Sequence, residues 1–217
     1  QALQFNRVVF DGAGNRYAAG SVTGPGAVDV DPGPDVHEVE ATGSTAEAVV
    51  VKYDAEGNWL WSRTFGGSGQ DVFLDLALGG STVYAGGRST SVDAGFDGTG
   101  SIEVTTVQGG ILVALDAASG APKTAFDDDG VVTFVPVDPS NFFSDFASFN
   151  AVTVADGVVY VGGHYVHDPS GFGFGGRPPV IPGANVGDSE QGLIAALDAT
   201  TGAPLSSFSG DGIQFVG

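Results

Sequence analysis

The stretch NRYAAG at residues 15–20 returns as TVYAGG at 82–87 and as VVYVGG at 158–163, and this recurrence decides the fold. After a Gly-rich segment of variable length, each copy continues into an apolar run that stops at an aspartate: VVVKYDAEG, ILVALDAASG and LIAALDATTG. Each then closes on a Phe-Gly or Phe-acidic-Gly tail: RTFGG, TAFDDDG and SSFSGDG. Tyr17, Tyr84 and Tyr160 stand 67 and 76 residues apart, so the unit is about 70 residues long with elastic loops. Repetition on this scale dictates architecture ahead of any site, because such a unit buries its apolar faces by stacking on its neighbours.

Strand signals dominate, and no window keeps a helical period. Strands are expected over 5–10, 16–22, 48–53 and 59–64 in the first unit, and over 72–78, 82–88, 111–115 and 131–135 in the second. The third unit repeats them over 151–154, 158–165, 193–197 and 213–216. The units divide the chain at 1–68, 69–146 and 147–217 as one continuous repeat domain. A sheet with one wet face alternates apolar and polar residues, whereas Ile111 to Leu115 and Leu193 to Leu197 are apolar throughout. Unbroken runs imply that both faces are covered. Four-stranded antiparallel sheets stacked around an axis meet that demand, so the expected fold is all-β, a β-propeller-type array of three blades. The small residues after each aromatic, such as Gly86 and Gly162, leave room for neighbouring sheets. Asp54, Asp116 and Asp198 each open a turn that a glycine closes, and are read as turn caps rather than ligands.

The first unit, with GNRYAAGSVTG, AVDVDPGPD and VVVKYDAEGNWLWSRTFGG, resembles the bacterial SBBP β-propeller repeat. The tails LDAASGAPKTAFDDDGVVTF and LDATTGAPLSSFSGDGIQF resemble the related delta-60 repeat. The later units depart from the pattern by losing the Trp59-x-Trp61 pair. The resemblance implies a large secreted or surface-exposed bacterial protein in which the repeats act as structural or adhesive modules. Localisation is therefore expected to be extracellular or at the cell surface. Because natural propellers use four or more blades, three blades imply completion by further blades of a longer polypeptide or by self-association.

Composition narrows the function further. A net charge of −19 repels phosphate backbones and argues against nucleic-acid binding. No segment has the run of about 18 apolar residues that a membrane helix needs, so direct membrane insertion is not expected. The chain has no cysteine, hence no disulfide or thiolate site. It opens on Gln1 rather than Met, which reads as the start of a processed product.

The candidate metal ligands are acidic. Asp29, Asp31 and Asp35 share a Gly/Pro-rich turn, and Asp127, Asp128 and Asp129 crowd another. Calcium is the cation such oxygen sets would take, against a solvated loop closing a long hairpin at the first and a plain turn at the second. Pro32 and the missing closing Glu favour the loop. His164 and His167 with Asp168 form the one histidine pair, but an i, i+3 pair on a strand points to opposite faces and does not make a zinc site. No Gly-x-Ser-x-Gly elbow or phosphate loop is present, and Gly173 to Gly176 lacks the helix a phosphate loop needs. Neither catalytic nor cofactor-binding residues are assigned, and an enzyme is not expected. Phe142, Phe143, Phe146 and Phe149 are read as packing between blades, with the insertions at 89–109 and 166–191 as contact loops. The expected function is an extracellular structural or adhesive module. The alternatives are a carbohydrate- or protein-recognition module with calcium-stabilised loops and, behind it, a fragment of a propeller hydrolase.

Overall fold

The computed structural model describes residues 1–41, 45–97, 109–136, 146–166, 172–174 and 190–216. Within them the chain is all-β, with no helix and four antiparallel sheets of two to five strands, none closed into a barrel. Each unit supplies a four-stranded meander. The first contains β1 (Ala2–Phe10), β2 (Arg16–Thr23), β5 (Ala46–Tyr53) and β6 (Trp59–Gly66). The second contains β7 (Asp71–Gly79), β8 (Thr82–Ser89), β10 (Gly109–Asp116) and β11 (Val131–Pro136). The third contains β12 (Phe146–Ala155), β13 (Val158–Val166), β15 (Glu190–Asp198) and β16 (Ile213–Val216). All twelve expected strands are present.

The segments between second and third strands add elements beyond the twelve expected strands. In the first unit this segment forms a hairpin of its own, β3 (Gly26–Asp29) with β4 (Glu38–Ala41). In the second, β9 (Gly95–Phe96) crosses to the preceding sheet and pairs with β6. In the third, β14 (Phe172–Phe174) does the same to β11. The two crossings are equivalent: Phe96 lies opposite Phe65 and Phe174 opposite Phe134, with ring centroids 5.2 and 5.4 Å apart.

The three large sheets pack face to face. Tyr17, Val50, Trp61 and Phe65 of sheet 1 meet Phe73, Leu76, Val83 and Ile111 of sheet 2 in one core. Leu112, Val132 and Phe134 on the opposite face of sheet 2 meet Phe149, Val152, Val161 and Leu193 of sheet 3 in another. Full burial of each large apolar side chain contributes roughly 1.5–3 kcal/mol, so these two seams dominate the stability. The uninterrupted run in β10 follows directly, since Ile111 faces one seam and Leu112 the other.

First strands are tied across the stack by polar contacts. Asn6 Nδ2 donates to the Phe73 carbonyl at 2.8 Å, Arg7 pairs with Asp75 at 3.1 Å, and Asp75 Oδ2 accepts the Val152 N–H at 2.8 Å. Each first strand also carries a bulge at the same place, between Phe5 and Arg7, Phe73 and Asp75, and Phe149 and Ala151. Opposite the bulge stand Gly20, Gly87 and Gly163, where a Cβ would lie 1.8, 1.9 and 2.0 Å from a carbonyl oxygen of the same sheet. Close approach within the bulged pair therefore fixes these glycines. Gly86 has the other reason, expected from sequence: a Cβ there would meet Val152 of sheet 3 at 2.5 Å.

The turn aspartates cap as expected. Asp54 Oδ1 accepts the N–H groups of Glu56, Gly57 and Asn58, and Asp116 Oδ1 those of Ala118 and Ser119. Asp198 Oδ1 does the same for Thr200 and Thr201. These bonds, together with the Asn58, Ser119 and Thr201 side chains, hold the three carboxyls below the usual Asp range. A depressed folded value means stability that is present above the unfolded pKa and is lost as pH falls through the folded one. Asp116→Ala should thus lower the melting temperature by a few degrees at pH 7, with the gap to wild type shrinking below pH 4. An unchanged gap on acidification would contradict the capping role.

Candidate assembly interface

The two internal seams show what a sheet flank of this repeat requires. At the first seam the Ala117 carbonyl, in the turn after β10, accepts from Tyr17 at 3.2 Å, Lys52 Nζ at 2.7 Å and Trp61 Nε1 at 3.4 Å. Burial and the nearby Asp11 and Asp116 carboxylates push the Tyr17 hydroxyl up to about 12, so it remains a donor. Lys52 is buried with its ammonium over the Tyr17 ring, 4.9 Å from the centroid. At the second seam Tyr84 donates to the equivalent Ala199 carbonyl, 2.5 Å away.

Among the described residues the third tyrosine has no such sheet to meet. Tyr160 is only partly buried, its ring edge-on to Phe208 of its own unit with centroids 6.2 Å apart. By strand register Ile194 corresponds to Val50 and Leu112, both fully buried, yet it is 42 % exposed. Val216 corresponds to the buried Phe65 and Phe134 and is 58 % exposed. Among the described residues a Cβ on Gly162, the counterpart of Gly86, would meet nothing nearer than Ala151 of its own sheet at 3.6 Å. On the outward face of the Leu193–Leu197 run Ala196 is buried but Ile194 is not, which corrects, at Ile194, the expectation that continuous apolar sequence marks two covered faces. The run is written for a neighbour that the described chain does not supply.

The outer flank of sheet 1 is half covered. Val22, Val49 and Val51 pack under Val30, Val39 and Ala41 of the β3–β4 hairpin. Tyr53 donates to the Val30 carbonyl at 2.7 Å, and His37 stacks on Trp59 with centroids 3.5 Å apart. Over β1 the cover stops. Phe5 and Val8 are 37 % and 46 % exposed, whereas their counterparts Phe73 and Leu76 in sheet 2, and Phe149 and Val152 in sheet 3, are buried. Phe10, the next residue on that face, is 63 % exposed. Five of the eight large exposed apolar side chains among the described residues therefore lie on the two end flanks.

The acidic candidates are engaged in their own turns. Asp29 Oδ1 accepts the N–H groups of Asp31 and His37, which holds its carboxyl low, and Asp31 Oδ1 accepts that of Gly33. Asp35 is exposed. Asp127 and Asp128 take left-handed backbone, φ 51° and 67°, where the equivalent residues are Ser209 and Gly210. Asp129 Oδ1 accepts the Val131 N–H at 2.8 Å, as Asp211 does for Ile213. Burial and the adjacent Asp127 and Asp128 raise the Asp129 carboxyl. Among the described residues no three His, Asp or Glu side chains converge closely enough to hold an ion.

Asp71, buried like Glu47 among the described residues, carried no sequence signal. It lies between sheets 1 and 2, accepting from Ser89, from Ser91 Oγ at 2.6 Å and from the Gly67 N–H at 3.2 Å. Burial pushes its carboxyl up, and the nearby Glu47 adds to the shift. Asp71 closes the polar end of the first seam. His164 contacts Asn150 at 2.9 Å on its own sheet, while His167, Asp168, Phe142, Phe143 and Gly175–Gly176 lie outside the described residues. Phe149 packs in the second seam, as expected.

No protein-family model matches this chain, and no curated protein is significantly similar to it.

Proposed function

We propose that the chain is a β-propeller-type array of three blades, working as a structural or adhesive repeat module of a bacterial cell surface. It assembles through stacked sheets and presents contact residues from its loops. The observation that carries this reading is positional: the end flanks expose apolar side chains at places where the internal seams bury them. Exposed contiguous apolar surface of this kind marks an interaction site. The turn-bound aspartates and the charge of −19 fit a rigid, soluble scaffold. The resemblance to SBBP and delta-60 repeats points to the same role and to an extracellular location.

Sedimentation velocity across a concentration series tests the assembly. Species larger than the monomer are expected, and Ile194→Asp should remove them without altering the far-UV circular dichroism. Because each copy is strongly anionic, added salt should promote association by screening repulsion over about 10 Å at 0.1 M. Association that is indifferent to Ile194→Asp, or a strict monomer at every concentration and salt, would overturn the reading.

A further inference from the structure

The two open flanks of one chain are complementary by the repeat's own register. The face that sheet 1 turns outward is the counterpart of the faces that sheets 2 and 3 present to their predecessors: Phe5 and Val8 correspond to Phe73 and Leu76, and to Phe149 and Val152. The face that sheet 3 turns outward corresponds to those that Tyr17 and Tyr84 serve. Ala55, in the Asp54 turn, occupies the place of Ala117 and Ala199, the carbonyls that receive those tyrosines. Its oxygen accepts Arg16 Nη2 at 3.1 Å and has a second lone pair to offer.

Edge pairing follows the same logic. The segment after each second strand reaches back to the preceding sheet, as β9 does to β6 and β14 to β11. Among the described residues β16 ends its sheet without a fifth strand. The first unit's corresponding segment is the β3–β4 hairpin, which rides on the outward face of sheet 1. It stands where a preceding sheet's outer edge would come.

Building on the assembly reading above, we propose that the partner is a second copy of this chain, docked head to tail. Sheet 3 of one copy packs on sheet 1 of the other in the register of the internal seams. Tyr160 donates to the partner copy's turn carbonyl at Ala55, and the hairpin borders β16 opposite Val216. Two such contacts related by a two-fold axis close six sheets into a ring, a number within the range of natural propellers.

Complementation between two surface variants tests this arrangement. Val8→Asp disables the sheet 1 flank and Ile194→Asp the sheet 3 flank; both positions are exposed in the single chain, so each variant should fold as the wild type does. Alone, each should lose about ten-fold or more in self-affinity, because each places a charge in both contacts of the ring. Mixed, they should form a 1:1 heterodimer through the one intact pair of flanks, seen as a mass shift in sedimentation and by labelling one variant. A Val8→Asp variant that still dimerises alone, or a mixture that yields no heterodimer, overturns head-to-tail docking. If that happens while wild-type association still needs Ile194, the general assembly reading survives and only the partner assignment falls.

Discussion

Gly163→Ala should unfold at far lower urea than the wild type, while Gly162→Ala, one residue earlier in the same strand, should be neutral or slightly stabilising. At position 163 a Cβ would lie 2.0 Å from the Ser148 carbonyl oxygen, and that oxygen belongs to backbone fixed by the β12–β13 ladder. Nothing flexible can yield, so the strand must shift or the bulge open. The cost is about 3 kcal/mol or more, which for a chain of this length lowers the melting temperature by roughly 6–12 °C. Gly20→Ala and Gly87→Ala, with contacts at 1.8 and 1.9 Å, should behave alike. At position 162 the new methyl meets, among the described residues, only Ala151 at 3.6 Å and restricts the unfolded chain. Equal tolerance at 162 and 163 in dilute solution would refute the bulge as the cause. A penalty at 162 that appears only at high protein concentration would indicate that another sheet covers the flank.

Phe73→Ala and Phe149→Ala should each cost about 3–5 kcal/mol in the single chain, as buried Phe truncations do. Phe5→Ala should cost within about 0.5 kcal/mol of nothing. The three residues occupy one position of the repeat, just before the bulge and opposite Gly87, Gly163 and Gly20 respectively. Phe73 and Phe149 are wedged between sheets and would leave cavities, whereas Phe5 stands on an end flank. Urea denaturation at low protein concentration gives the comparison. A loss at Phe5 as large as at Phe73 in a strictly monomeric sample would mean that the end flank is covered by the chain itself.

Much of this is legible in the sequence alone. The repeated aromatic-small-Gly phrase and the apolar run ending in Asp located the twelve strands, because those positions answer to local rules of alternation, turn chemistry and bulge geometry. Asp54, Asp116 and Asp198 were readable as caps for the same reason: each bonds within four residues of itself. The fifth strands were not readable. Gly95–Phe96 and Phe172–Phe174 are too short to show a period, and their pairing depends on a partner more than 25 residues away in sequence. Glu38-Val39-Glu40-Ala41 does carry a signal, since it alternates acidic and apolar residues, and the Gly/Pro-rich segment before it reads as a solvated loop closing a hairpin. Asp71 offered no hint, because its burial is set by two sheets meeting.

Sequence by itself determined that the chain makes three similar antiparallel sheets with the same bulge, the same capped turn and the same apolar faces. Only the tertiary structure decided which of those faces are satisfied. Leu112 and Ile194 stand at one repeat position in equally apolar runs, yet Leu112 is sealed by sheet 3 and Ile194 faces outward. The difference is not encoded at either residue. Burial is a property of what lies across the seam, and a repeated sequence writes the same request at every position whether or not its own chain answers it.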